Sequence, residues 1–160
     1  VDLVPEKAEV RNNYGTLLHR QGKYIEAIAQ FEIALKDLTY RKPAVVMTNM
    51  GKAYNSTKNP EKAIYWLDQA ISRAPNLCQA RFERGLSLRA LDKGPKALDD
   101  FENVIQLCGS DALGAYFQAG QILLEMDDRQ TGCHYIRKVA SEAKESDLGR
   151  IAADFASREC

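Results

Sequence analysis

The sequence predicts an all-α fold built from repeated pairs of antiparallel helices, because three features recur with a nearly constant period. Four glycines follow one another at separations of 36, 34 and 35 residues: Gly15, Gly51, Gly85 and Gly120. Twelve positions after each glycine comes a small residue, in the column Ala27, Ala63, Ala97 and Gly132. Sixteen positions after each glycine comes a large apolar residue, in the column Phe31, Leu67, Phe101 and Ile136. Small residues let two helix backbones approach closely, and the large residue fills the space beside them.

Proline, glycine and polar turn residues predict where the helices begin and end. Pro60 and Pro95 stand where the first turn of a helix tolerates a missing N–H group. Pro43, Pro75 and Gly109 stand at the unit boundaries, where they stop the second helix of a pair. We therefore expect paired helices near residues 6–21, 24–38, 44–57, 61–73, 78–91, 95–107, 112–126 and 129–143.

These helices predict a single domain over residues 1–160. Its repeats are expected near residues 8–41, 44–77, 78–111 and 113–145. A last amphipathic segment, near 147–158, has Leu148, Ile151 and Phe155 on one face. Repeat arrays need a terminal element with a polar outer side, so we expect this segment to form a capping helix.

Composition and charge argue against several classes of protein. Lysine plus arginine number 22 and aspartate plus glutamate also number 22, without the basic excess typical of a nucleic-acid binder. No run approaches the length and apolarity of a transmembrane helix, so we expect no membrane contact by this segment. The chain opens without a signal peptide and without an initiator methionine, and we expect any targeting signal or lipid anchor to precede it.

The glycine, alanine and phenylalanine columns resemble those of the 34-residue tetratricopeptide-repeat family. Unit two matches that pattern best, through Gly51, Tyr54, Ala63, Ala70 and Pro75. The resemblance covers residues 8–143 and implies a right-handed superhelix, an α-solenoid, of four units plus the capping helix. It further implies a non-catalytic scaffold that binds a protein or peptide in a concave groove.

The first third of the chain also resembles a narrower group, the type IV pilus biogenesis and stability lipoproteins, or secretin pilotins. The resemblance rests on Asn12-Asn13-Tyr14-Gly15, on residues 21–27 and 31–35, and on the two-residue extension between Tyr40 and Pro43. It implies a periplasmic protein, lipid-anchored at the outer membrane through its missing N-terminus, that helps a secretin subunit to assemble. A generic adaptor or a self-associating scaffold unrelated to pili, in the cytoplasm, is the alternative.

The tetratricopeptide-repeat resemblance places ligand contacts on the first helix of each pair, away from the packing columns. Carried over to this sequence, the expected groove residues are Asn12, Asn13, Thr16, Arg20, Thr48, Asn49, Lys52, Phe82, Leu86, Arg89, Phe117 and Gln121. The N-terminal part of this surface is polar with some positive charge. Its C-terminal part offers Phe82, Leu86 and Phe117 as apolar anchors, unless the capping segment covers them.

One subgroup of the family, the carboxylate-clamp domains of chaperone adaptors, binds acidic C-terminal peptides through lysine, asparagine and arginine side chains. Only Asn49 matches that pattern here. Asn12 and Thr16 replace the first pair of clamp residues, and Gln79 and Glu83 replace the last pair. A glutamate at this point would repel a carboxylate, so this mode of binding is the weaker alternative.

The four cysteines form no CxxC motif, and we expect neither a metal site nor a cofactor. Cys78 and Cys108 stand at neighbouring ends of one predicted helix pair, and Cys133 and Cys160 stand at neighbouring ends of another, so each pair can form a disulfide. The alternatives are small, partly buried thiols, with Cys160 loose or linking two chains. His19 and His134 have no catalytic partner at a repeat position, and we predict no enzymatic activity.

Overall fold

The computed structural model describes residues 6–160, and within this range it contains α-helices, one short 3-10 helix and no strand. The all-α prediction is therefore confirmed. The α-helices are α1 Glu6–Arg20, α2 Tyr24–Leu35, α3 Pro43–Ser56, α4 Pro60–Arg73, α5 Cys78–Ala90, α6 Gly94–Cys108, α7 Leu113–Glu125, α8 Arg129–Glu142 and α9 Asp147–Glu159. The 3-10 helix, Gly109–Ala112, leads into α7.

The chain divides into two compact units. The first ends at Leu91 and contains α1–α5, and the second, Asp92–Cys160, contains α6–α9. Within the first unit α1 packs on α2 and α3 packs on α4, and within the second α7 packs on α8. The prediction of one domain with four repeats stays a prediction.

Side-chain caps set several helix boundaries close to the predicted positions. Asn59 accepts a hydrogen bond from the backbone N–H of Lys62 at the start of α4, where Pro60 takes the first helical position. Asp128 caps α8 in the same way, through the N–H of Thr131. α2 ends at Leu35, three residues before the predicted boundary, because the Asp37 carboxylate accepts hydrogen bonds from the N–H and the hydroxyl of Thr39.

The glycine and large-apolar columns pack directly on each other in the first unit. A Cβ atom placed on Gly15 would lie 2.5 Å from the Phe31 ring, and one placed on Gly51 would lie 2.4 Å from Leu67 Cγ. Phe31 and Leu67 are both almost completely buried. Glycine is thus needed at these two positions because any side chain would push the paired helices apart.

The second unit ends in α9, which packs on α8. Phe117 of α7 meets Phe155 of α9 edge to face with ring centroids 6.0 Å apart, and Ala152 of α9 joins the same buried cluster. A disulfide joins Cys133 to Cys160, and Arg137 donates a hydrogen bond to the Cys160 carbonyl at 2.9 Å. The capping helix predicted near 147–158 is present and covers the apolar side of the last helix pair.

Cys78 and Cys108 are also disulfide-bonded, so none of the four cysteines is a free thiol. Among the residues that the structure describes, no helix combines the length and the apolarity needed to cross a membrane.

Candidate functional site

In the first unit, α3 contacts both α1 and α5, which brings three first helices of successive pairs together. Polar side chains join α1 to α3 at two levels. Asn49 Nδ2 donates to Asn12 Oδ1 at 2.9 Å, and His19 Nε2 lies 2.9 Å from the Ser56 hydroxyl. These bonds fix how the two helices sit on each other, so the polar side chains next to them are held in a defined arrangement.

A second polar network joins α3 to α5. Asn55 Nδ2 donates to the Glu83 carbonyl at 3.0 Å and to the Glu83 carboxylate at 3.2 Å. Gln79 Nε2 donates to the other carboxylate oxygen at 2.8 Å, and the Ser87 hydroxyl donates to Asn55 Oδ1 at 2.7 Å. Glu83 and Ser87, the two buried members of this network, therefore each have a partner, which is the condition under which polar groups are tolerated in a protein interior.

Glu83 is the one acid of this network, and only 5% of its surface is exposed. Burial raises the pKa of its carboxyl above the ordinary 4.5, and this effect is opposed by the hydrogen bond from Asn55, by the charge of Lys52 and by the hydrogen bond from Gln79. The carboxyl of Glu83 is thus directed into the junction of α3 and α5, where its charge is costly.

Lys52 is exposed in the middle helix of the three. Its charge acts on groups of both neighbouring helices: it helps to lower the pKa of His19 on α1, after burial, and it favours the ionised form of Glu83 on α5. The Lys52 ammonium therefore lies within electrostatic reach of both helices and makes the centre of this surface positive.

We define the polar face as the accessible polar side chains of α1 and α3 that surround these networks: Asn13, Thr16, Arg20, Asn49, Lys52 and Ser56. On each helix they follow the i, i+3, i+7 spacing that places side chains on one side. They offer two amides, two hydroxyls and two cations, a set suited to the carbonyl, amide and carboxylate groups of a peptide.

The prediction of an accessible groove side chain is wrong at three positions, because these side chains are buried. Asn12 is 7% exposed and accepts from Asn49, so it joins helices. Thr48 is 3% exposed, and its hydroxyl donates a hydrogen bond to the Ala44 carbonyl of the same helix at 2.8 Å. Phe117 is 8% exposed and lies beneath Phe155 of the capping helix.

The other predicted groove residues are at least partly accessible, and their role in binding stays a prediction. Asn13, Arg20 and Lys52 are exposed, while Thr16 and Asn49 are half-buried on the same face. Phe82, Leu86 and Arg89 are half-buried on α5, and Gln121 is half-buried on α7 of the second unit.

Sequence reasoning missed Asn55 and Ser87, whose side chains complete the network between α3 and α5. A signal for Asn55 was available, because it stands four residues after Gly51, in the repeat column that also holds His19 and Arg89. Three polar residues in one column of the first helices indicate a shared inter-helix role. No comparable pattern marks Ser87.

Replacing Glu83 with glutamine is expected to stabilise the protein at neutral pH, because it removes a buried charge while Gln79 can rotate its amide to match the new side chain. The folded pKa of Glu83 is raised, so the folded state binds its proton more tightly than the unfolded state does. The Glu83 contribution to stability is thus most favourable near and below pH 4.5 and is lost as the pH rises through the folded pKa.

The measurement is the free energy of unfolding from urea titrations between pH 4 and 8, comparing the native chain with Glu83→Gln. The difference between the two should grow as the pH rises. A Glu145→Gln variant serves as the matched control for the loss of one acid, because Glu145 is exposed and its replacement should change stability little. A constant difference at all pH values would show that burial does not control the titration of Glu83.

No group of three or more histidine, cysteine, aspartate or glutamate side chains within residues 6–160 is arranged to hold a metal ion.

Residues 6–76 match the family model described as the tetratricopeptide repeat. Among curated proteins, the DnaJ homolog subfamily C member 7 homolog of Schizosaccharomyces pombe is 28% identical over 145 residues, which cover 89% of this chain. The chain spans only 30% of the length of that relative.

Solved structures share the fold. The first tetratricopeptide-repeat domain of Spaghetti (RPAP3), bound to the HSP90 peptide SRMEEVD, matches with a TM-score of 0.70 and 26% identity over 79% of this chain and 98% of that one. PilW, a widely conserved type IV pilus biogenesis factor, matches with a TM-score of 0.80 over 93% of this chain and 68% of that one, at 21% identity, which shows the fold alone. The family match shows tetratricopeptide repeats in residues 6–76, and the solved structures show that the chain shares the fold of such proteins.

Proposed function

We propose that this chain is a non-catalytic scaffold that binds a peptide or protein segment on the polar face of α1 and α3. The observation that carries the proposal is the pair of polar networks, which hold the three first helices in a fixed arrangement around the exposed Lys52. A surface arranged before binding loses little conformational entropy when a ligand arrives. Asn13 and Asn49 would bond the ligand backbone, and Lys52 and Arg20 would attract its carbonyl or carboxylate groups.

The finer proposal is a pilotin-like role. In this role the chain is part of a periplasmic protein that is anchored at the outer membrane and assists the assembly of a type IV pilus secretin subunit. Two observations support it. The first is the resemblance of residues 12–15, 21–27 and 31–35 to the secretin pilotins. The second is that all four cysteines are disulfide-bonded, a state that persists in oxidising compartments such as the periplasm and is rare in the cytosol.

A second candidate is binding of an acidic chaperone peptide, favoured by the 26% identical neighbour that is bound to the HSP90 peptide SRMEEVD. The charges of this chain argue against tight binding. Gln79 and Glu83 stand where the clamp pattern has cations, and Glu83 is turned inward to hydrogen-bond Asn55 and Gln79. Asn12 and Thr16 replace the first pair of clamp residues as well, so the cations of the clamp pattern are missing from both ends.

The test is a direct binding titration by fluorescence anisotropy, with labelled peptides that tile the secretin of the source organism and with SRMEEVD. We expect one secretin peptide to bind and SRMEEVD to bind at least tenfold more weakly. Lys52→Glu should lower the affinity for the bound peptide at least tenfold, a loss of about 1.4 kcal/mol, because it reverses the charge at the centre of the face.

Lys144→Glu is the matched control, because Lys144 is an exposed lysine of the second unit. It makes the same charge change at a residue that is not part of the polar face, and it should leave the affinity unchanged. Equal loss in both variants would mean that overall charge and not the polar face drives binding. Preference for SRMEEVD over every secretin peptide would favour the chaperone adaptor.

A further inference from the structure

The first unit holds a second concave feature, at the loop between α2 and α3. A cavity of about 290 Å³ opens there, and its apolar walls come from Leu35, Tyr40, Met47 and Trp66. Met47 is buried, and the other three are half-buried side chains packed on the cores of the α1–α2 and α3–α4 pairs. The cavity floor is therefore continuous with the packed core of the unit.

The loop beside this cavity is held by its own hydrogen bonds. Asp37 accepts from the N–H of Thr39 at 3.0 Å and from its hydroxyl at 2.7 Å, and the Tyr40 N–H donates to the Asp37 carbonyl at 3.2 Å. This turn leaves Leu38 at the cavity with 96% of its surface exposed. Burying a leucine side chain is worth about 1.5–3 kcal/mol, and none of that is gained in the chain alone.

A second cavity, of about 450 Å³, adjoins the first and shares Pro43 and Arg73 with it. Three exposed cations line it, Arg41, Lys42 and Arg73, and they stand among apolar side chains such as Val45 and Leu77. Two acids lie near the first cavity. The charge of Glu9 helps, after burial, to raise the pKa of Tyr40, and the Asp37 carboxylate lies in the loop itself. The joint site still carries a net positive charge, concentrated at the second cavity.

We propose that these joined cavities, the Trp66 cleft, bind an acidic segment of a partner protein whose leucine or aromatic side chain enters between Tyr40 and Trp66. A carboxylate next to that anchor would pair with Arg73 and Arg41. The combined size suits one large side chain and its neighbours. An apolar anchor in a pocket, flanked by arginine–carboxylate pairs, is the arrangement that concentrates binding energy in few residues.

This site is separate from the polar face in its residues and in its ligand. The polar face offers amides and hydroxyls around Lys52, whereas the Trp66 cleft offers an apolar wall beside three cations. A partner could therefore be held at one site when the other is disabled, and the two proposals can fail independently.

Trp66 is the single tryptophan of the chain, so its emission reports on the cleft without a label. The probe is a blocked peptide, acetyl-Glu-Glu-Leu-Phe-Glu-Asp-amide, which contains no tryptophan. We expect a saturable blue shift of the Trp66 emission. A probe with lysine at the four acidic positions and a probe with alanine at the two apolar positions should each bind at least tenfold more weakly.

The double variant Arg41→Glu/Arg73→Glu should bind the acidic probe at least tenfold more weakly, with an unchanged helical circular-dichroism spectrum. Lys144→Glu and Lys52→Glu should bind it as the native chain does, which separates this site from the polar face. The absence of a saturable shift, or equal binding of the acidic and lysine probes, would overturn the proposal. So would a shift produced by phosphatidylglycerol vesicles and not by the peptide, because the exposed Leu38 and the cations would then serve a lipid surface.

Discussion

Replacing Leu67 with alanine is expected to lower the free energy of unfolding by about 2–5 kcal/mol. Leu67 is completely buried, in a cluster with Met47, Ala63 and Ala80 that joins α3, α4 and α5. Removing its three outer carbons costs their transfer free energy and leaves a cavity that close-packed neighbours fill only in part. Guanidinium titrations of the oxidised protein, followed by circular dichroism, measure the loss.

Substitution of Gly51 by alanine tests whether the contact with Leu67 is the reason for glycine in the repeat pattern. A Cβ atom at Gly51 would lie 2.4 Å from Leu67 Cγ, so Gly51→Ala alone should destabilise the native chain. In the Leu67→Ala background the obstructing atom is gone. The same change should then stabilise α3 by up to about 1 kcal/mol, because alanine is the better residue in a helix interior.

The double-mutant cycle of these two changes isolates their coupling, which we expect to be about 1–3 kcal/mol. Ile25→Ala serves as the control for a large apolar residue, because Ile25 is 72% exposed and its removal should change stability by no more than about 0.5 kcal/mol. A Gly51→Ala cost that is the same in both backgrounds would contradict the packing explanation and point to the backbone of α3.

The repeat columns predicted the fold because each column residue touches its counterpart on the paired helix. Each of these contacts lies within one helix pair, as between Gly15 and Phe31 or between Gly51 and Leu67, so the sequence separation alone fixes which residues meet. The turn prolines add helix starts, since Pro60 and Pro95 lie in the first turns of α4 and α6 as predicted. Fold class and helix order were therefore accessible without coordinates.

The candidate site was less predictable, because the exposure of a groove side chain depends on contacts between successive helix pairs. Asn12 and Asn13 are adjacent and identical in type, yet Asn12 is buried because Asn49 of the next first helix reaches it. The Trp66 cleft was missed for a related reason. Its walls come from α2, the following loop, α3 and α4, and its opening depends on the Asp37–Thr39 turn, which ends α2 early.

Replacing both Cys133 and Cys160 with alanine is expected to destabilise the second unit by roughly 3.5 kcal/mol, the chain-entropy cost of losing a disulfide between residues 27 positions apart. The pair joins the start of α8 to the end of α9. Without it, the hydrogen bond from Arg137 to the Cys160 carbonyl and the contact between Phe117 and Phe155 are left to hold α9 in place.

Detachment of α9 would expose Phe117, Ile136 and Val139, which form the buried cluster beneath it. We therefore expect the double variant to bind the dye ANS and to be cut by trypsin at Lys144 or Arg150 faster than the native chain is. The paired alanine variant is a sharper test than a reducing agent, because a reductant would also reduce Cys78 and Cys108. Cleavage and dye binding at native levels would show that packing alone holds the capping helix, and the disulfide would then have no role in covering the last pair.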